Sequence, residues 1–235
     1  GAQGARNTGI LASHAKWIIL FDSDNLMSAT FLERIYGCLN DKVDVCGCWS
    51  RVISFDSGQQ VGSFNWEGYG DVHHAIMTGE SYFDNSSTII RKSKILDIGL
   101  LDENCPSFQE WDTHIRLSRI ASYTTIREHL VDYYTGGKDT ISKDMKREVE
   151  GYLYILSKYR EEWCEESLYA YVRYCCILKQ RIETITDRNE SLRFRANLKL
   201  LLSGKLRIIS DFIIIIQKIK IIWKILKKST TAKSC

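Results

Sequence analysis

A single proline and fifteen glycines in 235 residues leave no room for long Pro-rich or Gly-rich linkers, and no internal repeat of useful period is present. None of the eight cysteines forms a CxxC pair, and no histidine follows at zinc-finger spacing, which argues against a structural zinc site. Cys46 and Cys48 are spaced to point the same way from a strand, and Cys175 and Cys176 sit in an apolar helical run. The expectation is buried, reduced thiols in a reducing cytosol. The first residues are neither basic nor followed by the apolar core of a secretory signal. A spanning helix needs about 20 largely apolar residues. The longest apolar run, Phe212 to Leu226, is broken by Gln217, Lys218, Lys220 and Lys224. Acidic residues are nearly missing from one end. From Ser191 onward, eleven Lys or Arg face Asp211 alone, a surplus of ten that leaves residues 1–190 at −7 within a net +3. The pattern is that of a globular body with a tail that meets something anionic.

What is present is ordinary globular material: 44% hydrophobic and 26% charged residues, enough for one large domain or one domain plus an appendage. Residues 5–14 have helical character, and 16–21 form a short apolar run suited to a buried parallel strand. Ser28 is a candidate N-cap for a helix to about Leu39, with Phe31, Leu32, Ile35 and Leu39 on one face. A strand is expected over 43–55, a loop over 56–70, then a strand at 87–91 and a short helix to Leu96. A helix is expected over 110–120, with Trp111, Ile115 and Ser118 at i, i+4 and i+7. Two short strands follow, at 122–126 and 130–134, and beyond Asp139 nearly everything reads as helix. Within it, Val149, Leu153 and Leu156 form one apolar stripe. Alternating strands and helices predict an α/β sheet covered by helices, with ligands at the carboxyl ends of the strands.

Two stretches carry chemistry. IILFDSDN, residues 18–25, runs from an apolar strand into Asp22 and Asp24. Two carboxylates so close repel unless a cation or donors lie between them. Two readings are open: a solvated turn, or a pair of oxygen ligands for Mg²⁺ or Mn²⁺ beside a diphosphate, with Asn25 able to add a neutral oxygen. In GLLDENCPSFQEWDTHIRLSR, residues 99–119, Glu110 and Asp112 bracket Trp111. Desolvation there can raise a carboxylate pKa toward general-base work. Equally, acidic residues at a helix start complement its dipole, with Arg116 further along.

GAQGARNTGI, IILFDSDN, GLLDE and FQEWDTHIRL, in that order and spacing, resemble the family 2 glycosyltransferases over roughly residues 1–145. The resemblance implies a partial nucleotide-diphospho-sugar transferase sheet, Rossmann-like and of GT-A type, covered by helices and followed by a helical C-terminal extension. It implies Asp22 and Asp24 as the Asp-x-Asp pair holding Mn²⁺ or Mg²⁺. Asp24 would be the direct ligand, and Asp22 would meet the ribose or the metal. It implies Arg6 and Asn7 at the nucleotide pocket, and Glu110 as the catalytic carboxylate with Asp112 kept as the second candidate. His114 stands either as a structural histidine or near the phosphates. YYTGGKDTIS, 133–142, falls where relatives place a loop over the donor, and Lys138 could meet a phosphate there. The implied reaction is an inverting transfer from a nucleotide-diphospho-sugar to an acceptor hydroxyl on a surface glycan or lipid-linked saccharide. Relatives begin with a strand, a helix and a second strand that are not found before Gly1, so a fragment, N-terminally truncated, is expected.

The expected organisation is a partial catalytic domain over 1–138, a helical extension over 139–204 and a basic amphipathic tail over 205–235. On a helical wheel Gln217, Lys220, Lys224, Lys227 and Lys228 face one side, and isoleucines with Trp223 the other, which suits anionic lipid. That places the protein peripherally on the cytoplasmic face of a membrane. The Ile-rich spacing between lysines favours lipid over nucleic acid. The competing reading is an inactive remnant or membrane-bound scaffold of the same fold.

Overall fold

The computed structural model describes residues 1–136 and 144–202. The chain divides into two compact units, Gly1–Gly151 and Tyr152–Cys235. Lys138 and the tail over 205–235 lie outside the described residues.

The first unit is a mixed α/β body. Helix α1 (Ala2–Ala12) is followed by β1 (Trp17–Ile19), β2 (Leu26–Met27), α2 (Phe31–Cys38), β3 (Val45–Ser54), β4 (Gln60–Phe64) and α3 (His73–Thr78). Strand β5 (Thr88–Arg91), α4 (Lys92–Asp97), α5 (Gln109–Ser118) and β6 (Tyr123–Thr135) complete it. The sheet runs β1-β5-β3-β6-β2, with β4 also on β3. Strand β3 is the spine. Its first residues pair with β5 and its last with β4, both antiparallel, while its whole length runs parallel to β6. The alternation of β3 and β6 buries Cys46, Cys48, Ile126, Leu130 and Val131 against Phe31 and Ile35 of α2. Burial pushes the Cys46 thiol up to about 12, assisted by the neighbouring Cys38, so it stays protonated.

Four expectations need correcting. Strand β1 pairs antiparallel with β5, not in a parallel array. It is an edge strand among the described residues, and its apolar character comes from residues packed beneath it rather than from strands on both sides. The stretch taken as a loop over 56–70 contains β4, because Ser54–Gly58 makes a tight turn with Gly58 at φ +66°, which a glycine adopts freely. Every residue of β4 is exposed, so no burial alternation marks it. The two strands at 122–126 and 130–134 are one strand, β6, whose register shifts opposite Cys48–Ser50. The cap of α2 is Thr30 rather than Ser28, and Leu32 is 64% exposed instead of lying on the buried face.

Helix α6 (Met145–Lys158) leads to α7 (Arg160–Glu166), α8 (Leu168–Glu183) and α9 (Arg188–Leu201). On α6, Val149 and Leu156 are buried as expected, with Ile155 beside them, while Leu153 is half-buried. In the second unit the Ser167 hydroxyl caps α8 by accepting from Ala170 N–H, and the Asp187 carboxylate caps α9 by accepting from Glu190 N–H. Trp163 of α7 and Tyr171 of α8 are fully buried with ring centroids 6.2 Å apart. Cys175 and Cys176 are both buried on α8. Among the described residues, no helix is long and apolar enough to cross a membrane.

Candidate active site

The two aspartates of IILFDSDN leave the carboxyl end of β1 in a turn closed by Asn25 N–H donating to Asp22 C=O at 3.2 Å. The turn is held from beneath. Asn25 is buried; its amide donates to Ser86 Oγ at 2.8 Å, and its Oδ1 accepts from Tyr134 N–H at 3.2 Å. Ser86 Oγ also accepts from Asp22 N–H at 3.1 Å. Asn25 is thus a bracket between the segment before β5 and the end of β6. With both ends of its amide engaged, it presents its carboxylate neighbours to solvent: Asp24 is exposed and Asp22 partly so.

Helix α1 lies against this turn with a polar inner face, because Gln3, Asn7 and Ile10, at i, i+4 and i+7, are all buried. Arg6 Nη2 reaches Asp22 Oδ1 at 2.5 Å, while Arg6 Nη1 is held by Gln3 Oε1 at 3.0 Å. Asn7 is spent on structure. Its amide donates to Leu101 C=O at 3.0 Å and to Glu103 Oε1 at 2.9 Å, and its Oδ1 accepts from Leu101 N–H at 3.0 Å. The segment matched to a nucleotide pocket therefore offers one cation to the site and uses its amide to fix the 101–103 turn.

Glu110 lies in the first turn of α5, two residues after Phe108, whose φ of +61° is a left-handed conformation unusual for a bulky side chain. Asn85 Nδ2 donates to Glu110 Oε1 at 2.8 Å. Burial raises the Glu110 pKa. The backbone N–H at its own helix start and the Arg6 guanidinium oppose that rise, and the charges of Asp22 and Asp84 add to it. Asp84 accepts from Ser87 N–H at 3.0 Å and from the Ser87 hydroxyl. Its pKa is also raised by burial, against the pull of those Ser87 hydrogen bonds and with a push from Asp22. Arg6, Asp22, Asp84 and Glu110 thus share one electrostatic field, with one cation among three carboxylates. Tyr133 borders it: burial first, then the charge of Asp24, followed by Asp84, Glu110 and Asp22, raises its pKa.

Asp112 is placed otherwise. It is fully buried and accepts from Arg116 Nε at 2.9 Å and Nη2 at 2.7 Å. Arg116 Nη1 continues to Ile98 C=O at 2.8 Å and Leu100 C=O at 2.7 Å. This pair ties α5 to the turn after α4. Trp111 does the same toward α3, its indole N–H donating to Ile76 C=O at 3.3 Å. His114 is packed against Phe83 with its Nδ1 2.9 Å from the Tyr123 hydroxyl, and burial pushes its pKa down to about 3. A neutral ring enclosed by aromatics offers phosphate no positive charge, so His114 is the structural histidine of the two alternatives.

The sequence reading missed Asp84, Asn85 and Ser86. A signal was available: Asp-Asn-Ser-Ser, 84–87, is a run of turn-forming side chains abutting a strand. Nothing local showed that it would lie beside IILFDSDN, because that proximity arises from the pairing of β1 with β5. Among the described residues no three His, Cys, Asp or Glu converge as a ready-made metal cage. The donor set is nonetheless all oxygen, and Asp24 is open to solvent with Asp22 Oδ2 outside the Arg6 contact. Two carboxylates completed by phosphate oxygens and water suit Mg²⁺ or Mn²⁺.

Residues 1–98, within the mixed α/β unit, match the family model described as Glycosyl transferase family 2. That stretch holds Arg6, Asp22, Asp24 and Asp84, while Glu110 lies beyond it. Similar solved structures include residues 1–349 of S. aureus TarS, at 10% identity and TM-score 0.47, covering 86% of this chain and 68% of that one. Another is the mannosyltransferase PcManGT from Pyrobaculum calidifontis, in complex with GDP-Man and Mn²⁺, at 11% identity and TM-score 0.45, covering 90% of this chain and 63% of that one. No curated protein sequence matches.

Proposed function

We propose that the chain is a sugar transferase that moves a glycosyl group from a nucleotide-diphospho-sugar to an acceptor hydroxyl, with inversion. The observation that carries this reading is Glu110: half-buried, raised in pKa, aimed by Asn85 and sharing one field with the Asp22 turn. A carboxylate so placed is a stronger base than a solvated one. Asn85 occupies Oε1, which leaves Oε2 for a proton. As the acceptor oxygen bonds to the anomeric carbon, its proton passes to Glu110. The bond from that carbon to the diphosphate oxygen breaks, and its electron pair leaves with the nucleoside diphosphate.

Arg6 stands on the donor side, where its guanidinium offsets phosphate charge and restrains Asp22. Asp22 and Asp24 would hold a divalent cation, which when bound supplies positive charge against the departing diphosphate. Asp84 keeps the floor of the site acidic and fixes its loop through Ser87.

Membrane attachment belongs to the same proposal. On α9 the exposed residues Arg188, Leu192, Arg195 and Lys199 recur at i, i+4, i+7 and i+11, forming a basic stripe with one leucine. The lysine-rich residues that follow extend the basic character of this end of the chain. An anionic lipid surface would accept both.

The deciding measurement is Mn²⁺-dependent turnover of a panel of nucleotide-sugars by the natural full-length protein and its Glu110→Gln variant. Transfer should fall by about 10²–10⁴-fold, the span of general-base catalysis, with donor affinity retained. Full activity in the variant removes Glu110 from the mechanism.

A further inference from the structure

Two residues beyond the end of β4, Trp66 is 38% exposed on the surface of a segment that is otherwise firmly anchored. The Glu67 carbonyl accepts from the Ser81 hydroxyl, and Gly68 N–H donates to Thr125 Oγ1 at 3.0 Å. Gly68 approaches so closely that a Cβ there would lie 2.7 Å from Val72 Cγ1 and 2.9 Å from Phe83 Cζ. These contacts hold residues 66–68 against 81–83, and Trp66 meets Tyr82 edge to face with ring centroids 6.3 Å apart. Tyr82 keeps 36% of its surface exposed. Three residues on, Asn85 grips Glu110. Burial raises the Tyr82 pKa, and the charges of Glu110 and then Asp84 add to the rise. A partly exposed indole therefore packs on a partly exposed tyrosine ring whose loop also holds the proposed base.

The loop that carries Tyr82 also carries Asn85, whose amide donates to Glu110 Oε1 at 2.8 Å. A base must lie within hydrogen-bond reach of the hydroxyl it deprotonates. The molecule carrying that hydroxyl therefore comes up to Glu110 beside this loop, where the exposed surface is aromatic. Pyranose rings present axial C–H groups on one face and hydroxyls around the edge. Such a body matches one flat aromatic face with the second ring set edge-on to it and carboxylates nearby.

We propose that Trp66 and Tyr82 form an acceptor subsite, a fixed aromatic platform on which a saccharide ring stacks with its reacting hydroxyl directed at Glu110. This inference rests on the transferase reading for the role of Glu110, whereas the binding of a saccharide by the platform does not. The specificity of the platform is for a pyranosyl ring over a linear or lipid-like hydroxyl.

The test is saturation-transfer NMR with the full chain and three probes: maltotriose, cellotriose and chitotriose. It is run on wild type, Trp66→Ala, Tyr82→Phe and the remote control Tyr36→Ala, an exposed aromatic on α2 (80% exposed). At least one trisaccharide should bind wild type and Tyr36→Ala alike. Trp66→Ala should weaken that binding by about tenfold, the order of a stacking contact, while Tyr82→Phe, which keeps the ring, should change it less. A thermal transition matching wild type shows that the variants fold. No binding by any of the three probes, or binding that Trp66→Ala leaves intact in a folded protein, overturns the platform. Trp66-dependent binding in a natural full-length protein that turns over no nucleotide-sugar leaves the platform standing and removes the transferase reading instead.

Discussion

Asn85 donates its amide to Glu110 Oε1 at 2.8 Å, from a loop that also supplies Asp84 and Ser86 to the candidate site. The link joins the segment before β5 to the first turn of α5 and selects which Glu110 oxygen is free. Asn85 is a positioning residue rather than a proton carrier. Removing its amide with Asn85→Ala should lower kcat by about 10²-fold, the cost of misplacing a reacting group, with little change in donor KM. Asn85→Asp should go further. A carboxylate beside Glu110 raises its pKa, so the acid limb of the kcat–pH profile should move to higher pH. A profile identical to wild type in Asn85→Asp would show that the two side chains are not coupled in solution.

The raised pKa of Glu110 makes a claim about stability. A folded-state pKa above that of the unfolded chain means the native state holds its proton more tightly. The stability is full below the ordinary carboxylate range and is lost as pH rises through the raised folded value. Glu110→Gln keeps an acceptor for Asn85 but carries no charge. It should melt higher than wild type at pH 7–8, by about 2–4 °C for each kcal/mol relieved, and the difference should shrink toward pH 4. Thermal melts across that range decide it, and a lower melting temperature for the variant at pH 8 sinks the argument. A proposed base that costs stability is an expected trade.

Asp112 should behave in the opposite way, although it is only two residues from Glu110. Its carboxylate is fully buried against Arg116, itself 13% exposed at the side chain. Arg116→Met would take the cation away from that buried carboxylate, a change that typically costs about 3–5 kcal/mol. Chemical denaturation should show the loss directly. Asp112→Asn should also destabilise at neutral pH, whereas Glu110→Gln stabilises. Equal and opposite effects on melting from neighbouring acidic residues would separate the structural carboxylate from the reactive one.

How far the sequence led can be judged from these same residues. The strand running toward the Asp22 turn, the buried stripe of α5 and the order of the acidic motifs were legible because periodicity and spacing are local properties. The resemblance put Glu110 ahead of Asp112, but the different surroundings of the two were not legible. They come from Arg116 curling back to Asp112 and Asn85 arriving at Glu110 from another loop, and both follow from tertiary packing. Strand β4 escaped notice because an exposed strand lacks the alternation that reveals a half-buried one. The left-handed Phe108 and the close approach at Gly151, where a Cβ would sit 2.6 Å from Ser107 Cβ, were equally silent. Both shape the entry to α5, and neither has a signature shorter than the fold.

The basic end of the chain sets the final test. Arg188, Arg195 and Lys199 occupy one stripe of α9 and are all exposed, and residues from Ser191 onward carry a surplus of ten positive charges. Attraction of such a segment to anionic lipid contributes about 1 kcal/mol per basic residue near the surface. Flotation with vesicles containing phosphatidylserine should therefore recover the full chain and leave a chain ending at residue 204 largely unbound. Reversing the stripe with Arg188→Glu, Arg195→Glu and Lys199→Glu in the full chain should give an intermediate result if α9 and the tail act together. Vesicles of phosphatidylcholine alone should bind less, and added salt should weaken the anionic interaction within a Debye length of about 8 Å at physiological ionic strength. Equal flotation of the full and shortened chains would end the membrane reading without touching the chemistry at Glu110, because the two depend on different residues.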